Sequence, residues 1–189
     1  VKNRAREIAG ESIAVQERFT ESCLEEVVRI AELVIGAIRG GRRVYVFGCG
    51  GSAADGQHLA GELVGRFRRE RPGWPCVALS TDTSVLTAWA NDYGWDTVYA
   101  RQIQALAGEG DVAIGISTSG NSPVVVKAVE EADRLGARTV GLTGAGGGRL
   151  KDLCDICLRA PSDETPRIQE CHGLAIHILC ELVEAALTG

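Results

Sequence analysis

The hydrophobic positions of this chain keep two alternating rhythms. From about residue 5 to 38 they recur with the 3.6-residue spacing of a helix, through Leu24, Val27, Val28, Ala31, Val34, Ile35 and Ile38. Ile30 and Leu33 fall beside that stripe and widen it. So broad an apolar face predicts packing on something besides the helix's own sheet, such as a second subunit. Gly40-Gly41 ends the pattern. Short apolar runs rich in β-branched residues then follow at 44–47, 76–79, 112–116, 139–142 and 156–158, and they read as buried strands. Between them, helical patterns cover 52–66, 81–90, 96–107 and 123–135, and a last one covers 166–187. Ser52 is the expected N-cap of the first of these, with Asp55 in the capping-box position.

Strand and helix thus alternate along almost the whole chain; only the link after Leu142 is too short for a helix. That order predicts an α/β fold: a doubly wound, mostly parallel, five-stranded sheet of the flavodoxin-like kind with helices on both faces. Residues 1–40 are expected to serve oligomerisation, and 41–189 to form one ligand-binding domain.

Composition narrows the possibilities. A chain of 189 residues, 45% hydrophobic and 24% charged, supports one well-formed core and not disorder. A net charge of −5 argues against direct nucleic-acid binding. The densest basic run, Arg66-Phe67-Arg68-Arg69-Glu70-Arg71, reads as a solvated loop. No stretch reaches the roughly eighteen apolar residues of a membrane span, and the N-terminus is too polar for a secretory signal. Seven scattered cysteines, an odd number, fit the cytoplasm. Cys154 and Cys157 have C-x-x-C spacing without a second pair; on a strand they would face opposite ways, which leaves a buried structural role.

Two turns carry candidate chemistry. In a doubly wound sheet ligands sit beyond the C-terminal ends of the strands, where Gly48-Cys49-Gly50-Gly51-Ser52 and Ser117-Thr118-Ser119-Gly120-Asn121-Ser122 fall. The second offers four hydroxyls just ahead of a helix N-terminus with Pro123 in its first turn, which suits a phosphate monoester better than a plain capping turn. No Gly-Lys-Ser/Thr follows, so it is not a nucleotide P-loop. His58 and Glu62 stand four apart on one helical face, as a surface pair or as part of a site. His177 lies in an apolar helical run, where a satisfied core histidine is the plain alternative.

Four features, in order, resemble one family: the 117–122 turn, the Gly-Gly-Ser-x5-His-x3-Glu stretch ending at Glu62, Asn91-Asp92, and Arg167-Ile168-Gln169-Glu170-x-His172. Together they are similar to the sugar isomerase (SIS) domain, and within it to the bacterial phosphoheptose isomerases, over essentially the full length. The resemblance implies interconversion of sedoheptulose 7-phosphate and D-glycero-D-manno-heptose 7-phosphate on the way to envelope heptose. It implies Glu62 as the base that moves a proton between C1 and C2 through an enediol, and His177 as its partner acid/base. It assigns the phosphate to Ser117, Thr118, Ser119 and Ser122, and the sugar to Gly50, Gly51, Ser52, Asn91, Asp92, Glu62 and Gln169. Some members bind zinc through the residues matching His58, Glu62, Gln169 and His177.

Gln169 and His177 are eight apart, about 12 Å along a straight helix, so one unbent helix hardly brings both to one ion. A neighbouring subunit would resolve that, and the expectation is an oligomer, tetramer being the family habit, with sites at subunit interfaces. Cys49 stands where the family usually has Asn; a thiol is a weaker donor, which puts the exact sugar in question. Beside a helix N-terminus it could also be reactive. Two rival readings remain: a non-enzymatic SIS protein similar to the tetrameric factor that binds the bacterial replication initiator, and an isomerase or sensor of another phosphosugar.

Overall fold

The computed structural model describes Val1–Gly189. Its strands β1 (Val44–Gly48), β2 (Cys76–Ala78), β3 (Val112–Ile116), β4 (Arg138–Thr143) and β5 (Ile156–Arg159) form one sheet in the order β2-β1-β3-β4-β5. Every pairing is parallel. The helices are α1 (Lys2–Ser22), α2 (Leu24–Arg39), α3 (Gly51–Val64), α4 (Thr83–Tyr93), α5 (Val98–Leu106), α6 (Pro123–Arg134), α7 (Leu150–Leu153) and α8 (Thr165–Thr188). A 3₁₀ turn, Trp95–Thr97, precedes α5.

Because successive side chains of a strand point to opposite faces, each strand supplies two cores. Val44, Val46, Val112, Ile114, Ile116, Val140, Leu142 and Leu158 join residues of α1, α2, α3 and α8 on one face. Tyr45, Phe47 and Ala113 join α5, α6 and α7 on the other. The short α7 occupies the link in which no helix was expected.

Several expectations are corrected. The N-terminal segment is two helices, with Cys23 leaving helical geometry (φ −123°, ψ −6°). Neither Gly nor Pro marks the break. Tertiary contacts hold it instead: Cys23 is buried, and its thiol donates to the Arg159 carbonyl at 3.4 Å. The buried stripe of α2 is Val27, Ile30, Ala31, Val34 and Ala37, while Leu24 and Val28 face outward. Most of α1 is exposed, including Ile8 and Ile13. Ser52 does not cap α3; Gly50 (φ 60°) holds that position, and Ser52 is buried in the first turn. Asn91 and Asp92 lie within the last turn of α4, which ends only at Gly94.

Helix α8 is long and apolar enough to cross a membrane by length and composition, contrary to the sequence expectation. It is a core helix here, with Ile168, Cys171, Ala175, Ile176, Leu179, Cys180 and Val183 buried. The C-x-x-C expectation is half right. Both sulfurs lie within 3.4 Å of where a side chain on Gly141 would begin, so they face the same way, because Cys154 precedes the strand. Burial pushes the Cys154 thiol up to about 12 and raises that of Cys157, which suits packing and not thiolate chemistry.

His172, fully buried in α8, is the core histidine of this fold; its Nε2 lies 3.1 Å from the Thr143 carbonyl. Burial outweighs that hydrogen bond and pushes its pKa down to about 4. An unfolded chain takes up this proton near pH 6.5 and the folded one only near 4, so stability falls as pH drops through that window. Denaturant titrations should show a loss of up to about 3 kcal/mol between pH 6.5 and 4 from this group. The His172→Asn variant should lose that part of the slope.

Candidate active site

The sheet reverses its winding between β1 and β3, and the loops leaving their C-terminal ends line one cleft of about 230 Å³. Cys49 and Ser52 come from the β1 side, Ser117, Thr118, Ser119 and Ser122 from the β3 side, and Thr165 and Gln169 from the start of α8. The serine turn is held by its own backbone and by the glycine loop after β4. Gly120 N–H donates to the Ser117 carbonyl at 2.9 Å, and Gly144 N–H to that of Thr118 at 2.9 Å. Asn121 Oδ1 accepts from Arg149 N–H at 3.0 Å. Gly120 (φ +66°) has no room for a side chain, which would collide with the Gly147 carbonyl. The hydroxyls of Ser117 and Ser119 lie 3.4 Å apart at the mouth of α6, whose N-terminus has no side-chain cap. Clustered hydroxyls and an uncapped helix end have the chemistry to receive an anion.

At the N-terminus of α3 the Gln169 side chain occupies the space above Gly51; its Cδ is 2.8 Å from where a Cβ would stand. Ser52 is buried beside it, Cys49 is exposed, and Tyr99 Oη donates to the Gly48 carbonyl at 2.7 Å. Further along the same two helices, His58 Nε2 lies 3.1 Å from Glu62 Oε1 and 3.3 Å from His177 Nε2. The two rings meet edge to face, and Phe67 packs against His177 at 5.8 Å between centroids. One ligand atom from each of His58, Glu62 and His177 lies within 4.8 Å of the others. Two imidazoles and a carboxylate so placed could hold a divalent metal ion, and this donor set leaves room for further ligands.

The family model described as SIS domain matches residues 9–144. The chain is 51% identical over 177 residues to a phosphoheptose isomerase of Trichlorobacter lovleyi, covering 94% of this chain and 90% of that one. It is 49% identical over 181 residues to that of Aquifex aeolicus, covering 96% and 95%. The solved phosphoheptose isomerase of Neisseria gonorrhoeae superposes with a TM-score of 0.92 at 39% identity, covering 97% of this chain and 98% of that one. That of Francisella tularensis gives 0.94 at 34%, covering 97% of each. The chain belongs to the phosphoheptose isomerase family of SIS-domain proteins.

Within that family framework, the site residues fall into two groups. Gly50, Gly51, Ser52, Ser117, Thr118, Ser119, Ser122 and Gln169 surround or adjoin the cleft, while His58, Glu62 and His177 form the cluster. His177 is exposed, so the core-histidine alternative is excluded. Asn91 and Asp92 are exposed at the end of α4, bonded to each other at 2.9 Å, and do not line the cleft. Sequence reading missed Thr165, the clamping role of the 144–149 loop, and Arg71, whose side chain is 2% exposed and not solvated. The five-residue stretch Gly144-Ala145-Gly146-Gly147-Gly148 was the available signal for that loop: only glycines tolerate such close backbone contact.

A methyl group at position 51 would displace the amide end of the Gln169 side chain, not backbone. Gly51→Ala should therefore keep the fold, with a melting midpoint within a few degrees of the original. Phosphosugar affinity should fall about tenfold or more, since a hydrogen-bonding group is evicted from the cleft. Calorimetry and thermal melts on the same sample check both halves.

Proposed function

We propose that this protein is an aldose–ketose isomerase that interconverts sedoheptulose 7-phosphate and D-glycero-D-manno-heptose 7-phosphate through an enediol, supplying heptose for the cell envelope. The observation that carries the reading is the meeting of Glu62 with His58 and His177 between α3 and α8, in a chain about half identical to phosphoheptose isomerases along nearly its whole length. An isomerisation of this kind needs one group to take and return a carbon-bound proton and another to serve the oxygens. Glu62 takes the first role, moving the proton between C1 and C2, and His177 the second, shuttling a proton between O1 and O2. Ser117, Thr118, Ser119 and Ser122 hold the phosphate with the N-terminus of α6. Gly50, Gly51, Ser52 and Gln169 hold the sugar hydroxyls, and Asn91 and Asp92, which lie outside this protomer's cleft, would reach a sugar only across a subunit interface.

Zinc is the metal that best suits the donor set of His58, Glu62 and His177; Gln169, about 12 Å from His177 along α8, would join it only from a neighbouring protomer. When bound the ion would polarise the sugar oxygens as the proton leaves carbon. A Glu62 committed to such an ion would be a weaker base towards carbon.

Glu62 follows Gly51 by eleven residues, about 16 Å along α3. An extended seven-carbon sugar phosphate spans roughly 10 Å from C1 to phosphorus, judged from ordinary single-bond lengths. One protomer thus supports the phosphate end of the substrate more readily than both ends together. The exposure of His58 and His177, and of Ile8 and Ile13 on α1, supports a homo-oligomer, a tetramer by family habit, with sites completed across interfaces. Seven free cysteines support a reducing, cytoplasmic setting.

Glu62→Gln should lower kcat by about 10²- to 10⁴-fold while phosphosugar binding persists; turnover near the original rate would remove Glu62 from its role. Sedimentation of the active protein should show an oligomer, and a fully active monomer would contradict shared sites.

A further inference from the structure

Helix α3 ends at Val64, so Glu62 lies in its final turn, where carbonyls lack helical partners and backbone tends to fray. The usual remedy, a glycine in the left-handed region, is absent: Gly65 has φ −78° and ψ −105°. Arg71 takes its place. Its Nη2 donates to the Glu62 carbonyl at 2.7 Å, and its Nη1 to the carbonyls of Leu63 at 3.0 Å and Pro72 at 3.1 Å. Trp74 covers the guanidinium, 3.5 Å from ring centroid to Arg71 Cζ.

The same guanidinium is tied to α8. Arg71 Nε donates to Glu184 Oε1 at 3.1 Å, with the two side chains only 2% and 3% exposed. Glu184 also accepts from the backbone N–H groups of Phe67 at 3.2 Å, Arg68 at 2.8 Å and Arg69 at 3.0 Å. Burial would raise its carboxyl, but these donors outweigh burial and hold it below the ordinary glutamate range. Glu184 follows His177 by seven residues, two turns along the same stripe of α8. Phe67, bonded through its N–H to Glu184, packs its ring on His177.

We infer that Arg71 and Glu184 are positioning residues: their buried pair caps the last turn of α3 and locks it to α8, setting Glu62 and His58 against His177. The inference rests on the functional reading of that cluster. Arg71 is suited to this by its planar fork, which serves several carbonyls and a carboxylate at once. A lysine keeps the charge but cannot make the fork.

The test compares Arg71→Lys and Glu184→Gln with the unaltered protein, well below their melting temperatures. Both should weaken zinc binding about tenfold or more, the usual consequence of losing an outer partner of a ligand. Both should lower kcat by a similar factor, while KM for the phosphosugar changes less than about threefold, since the serine turn is untouched. Lowered melting points with zinc affinity and kcat both within twofold of the original would overturn the inference and leave a purely structural pair. Should a variant fail to fold, NMR of the unaltered protein decides. A slowly exchanging Arg71 Nε–H supports the clamp, and a freely exchanging one overturns it. Absence of turnover by the unaltered protein would sink the functional reading separately, with the zinc and exchange measurements still testing the clamp.

Discussion

The site depends on how closely α3 can lie against both the sheet and α8. A side chain on Gly56 would come within 3.1 Å of Val46, so the bare backbone lets α3 settle onto β1. At its N-terminus Gly51 leaves the space that Gln169 fills. At its C-terminus the Arg71–Glu184 pair binds the last turn to α8. Three contacts along one helix thus place the cleft residues at one end and the His58, Glu62 and His177 cluster at the other. Interiors packed at crystal-like density leave little slack for such placement to drift.

The sheet governs the other half of the site. Its parallel order with a reversal between β1 and β3 leaves a crevice at their C-terminal ends, as doubly wound sheets do. Clustered hydroxyls and helix N-termini meet there without any lysine lining the cleft. In the proposed function, recognition of the phosphate would rely on N–H and O–H dipoles, which glycine-to-glycine backbone contact between the serine turn and the 144–148 loop holds in place.

Much of this was legible in the sequence for a plain reason. Buried parallel strands must be continuous apolar runs, and all five were found, 112–116 with its exact bounds. The 117–122 turn was legible because four hydroxyls exceed what one cap requires. What escaped notice depended on tertiary contact. The break at Cys23 carries no local signal, since the Arg159 carbonyl holds it from across the chain. Arg71 sat in a basic run that reads as solvated, and only the fold reveals Glu184 beside it. His177 and His172 stand five residues apart on one helix, and hydropathy alone could not tell which is buried.

The central claim is proton transfer at carbon by Glu62, and hydrogen exchange tests it most directly. Sedoheptulose 7-phosphate incubated with the protein in deuterated water should gain deuterium at the carbons joined by the enediol, as read by NMR. The Glu62→Gln variant should slow the gain by about 10²- to 10⁴-fold while still binding the sugar phosphate. Exchange in that variant at a rate near that of the unaltered protein would contradict the account.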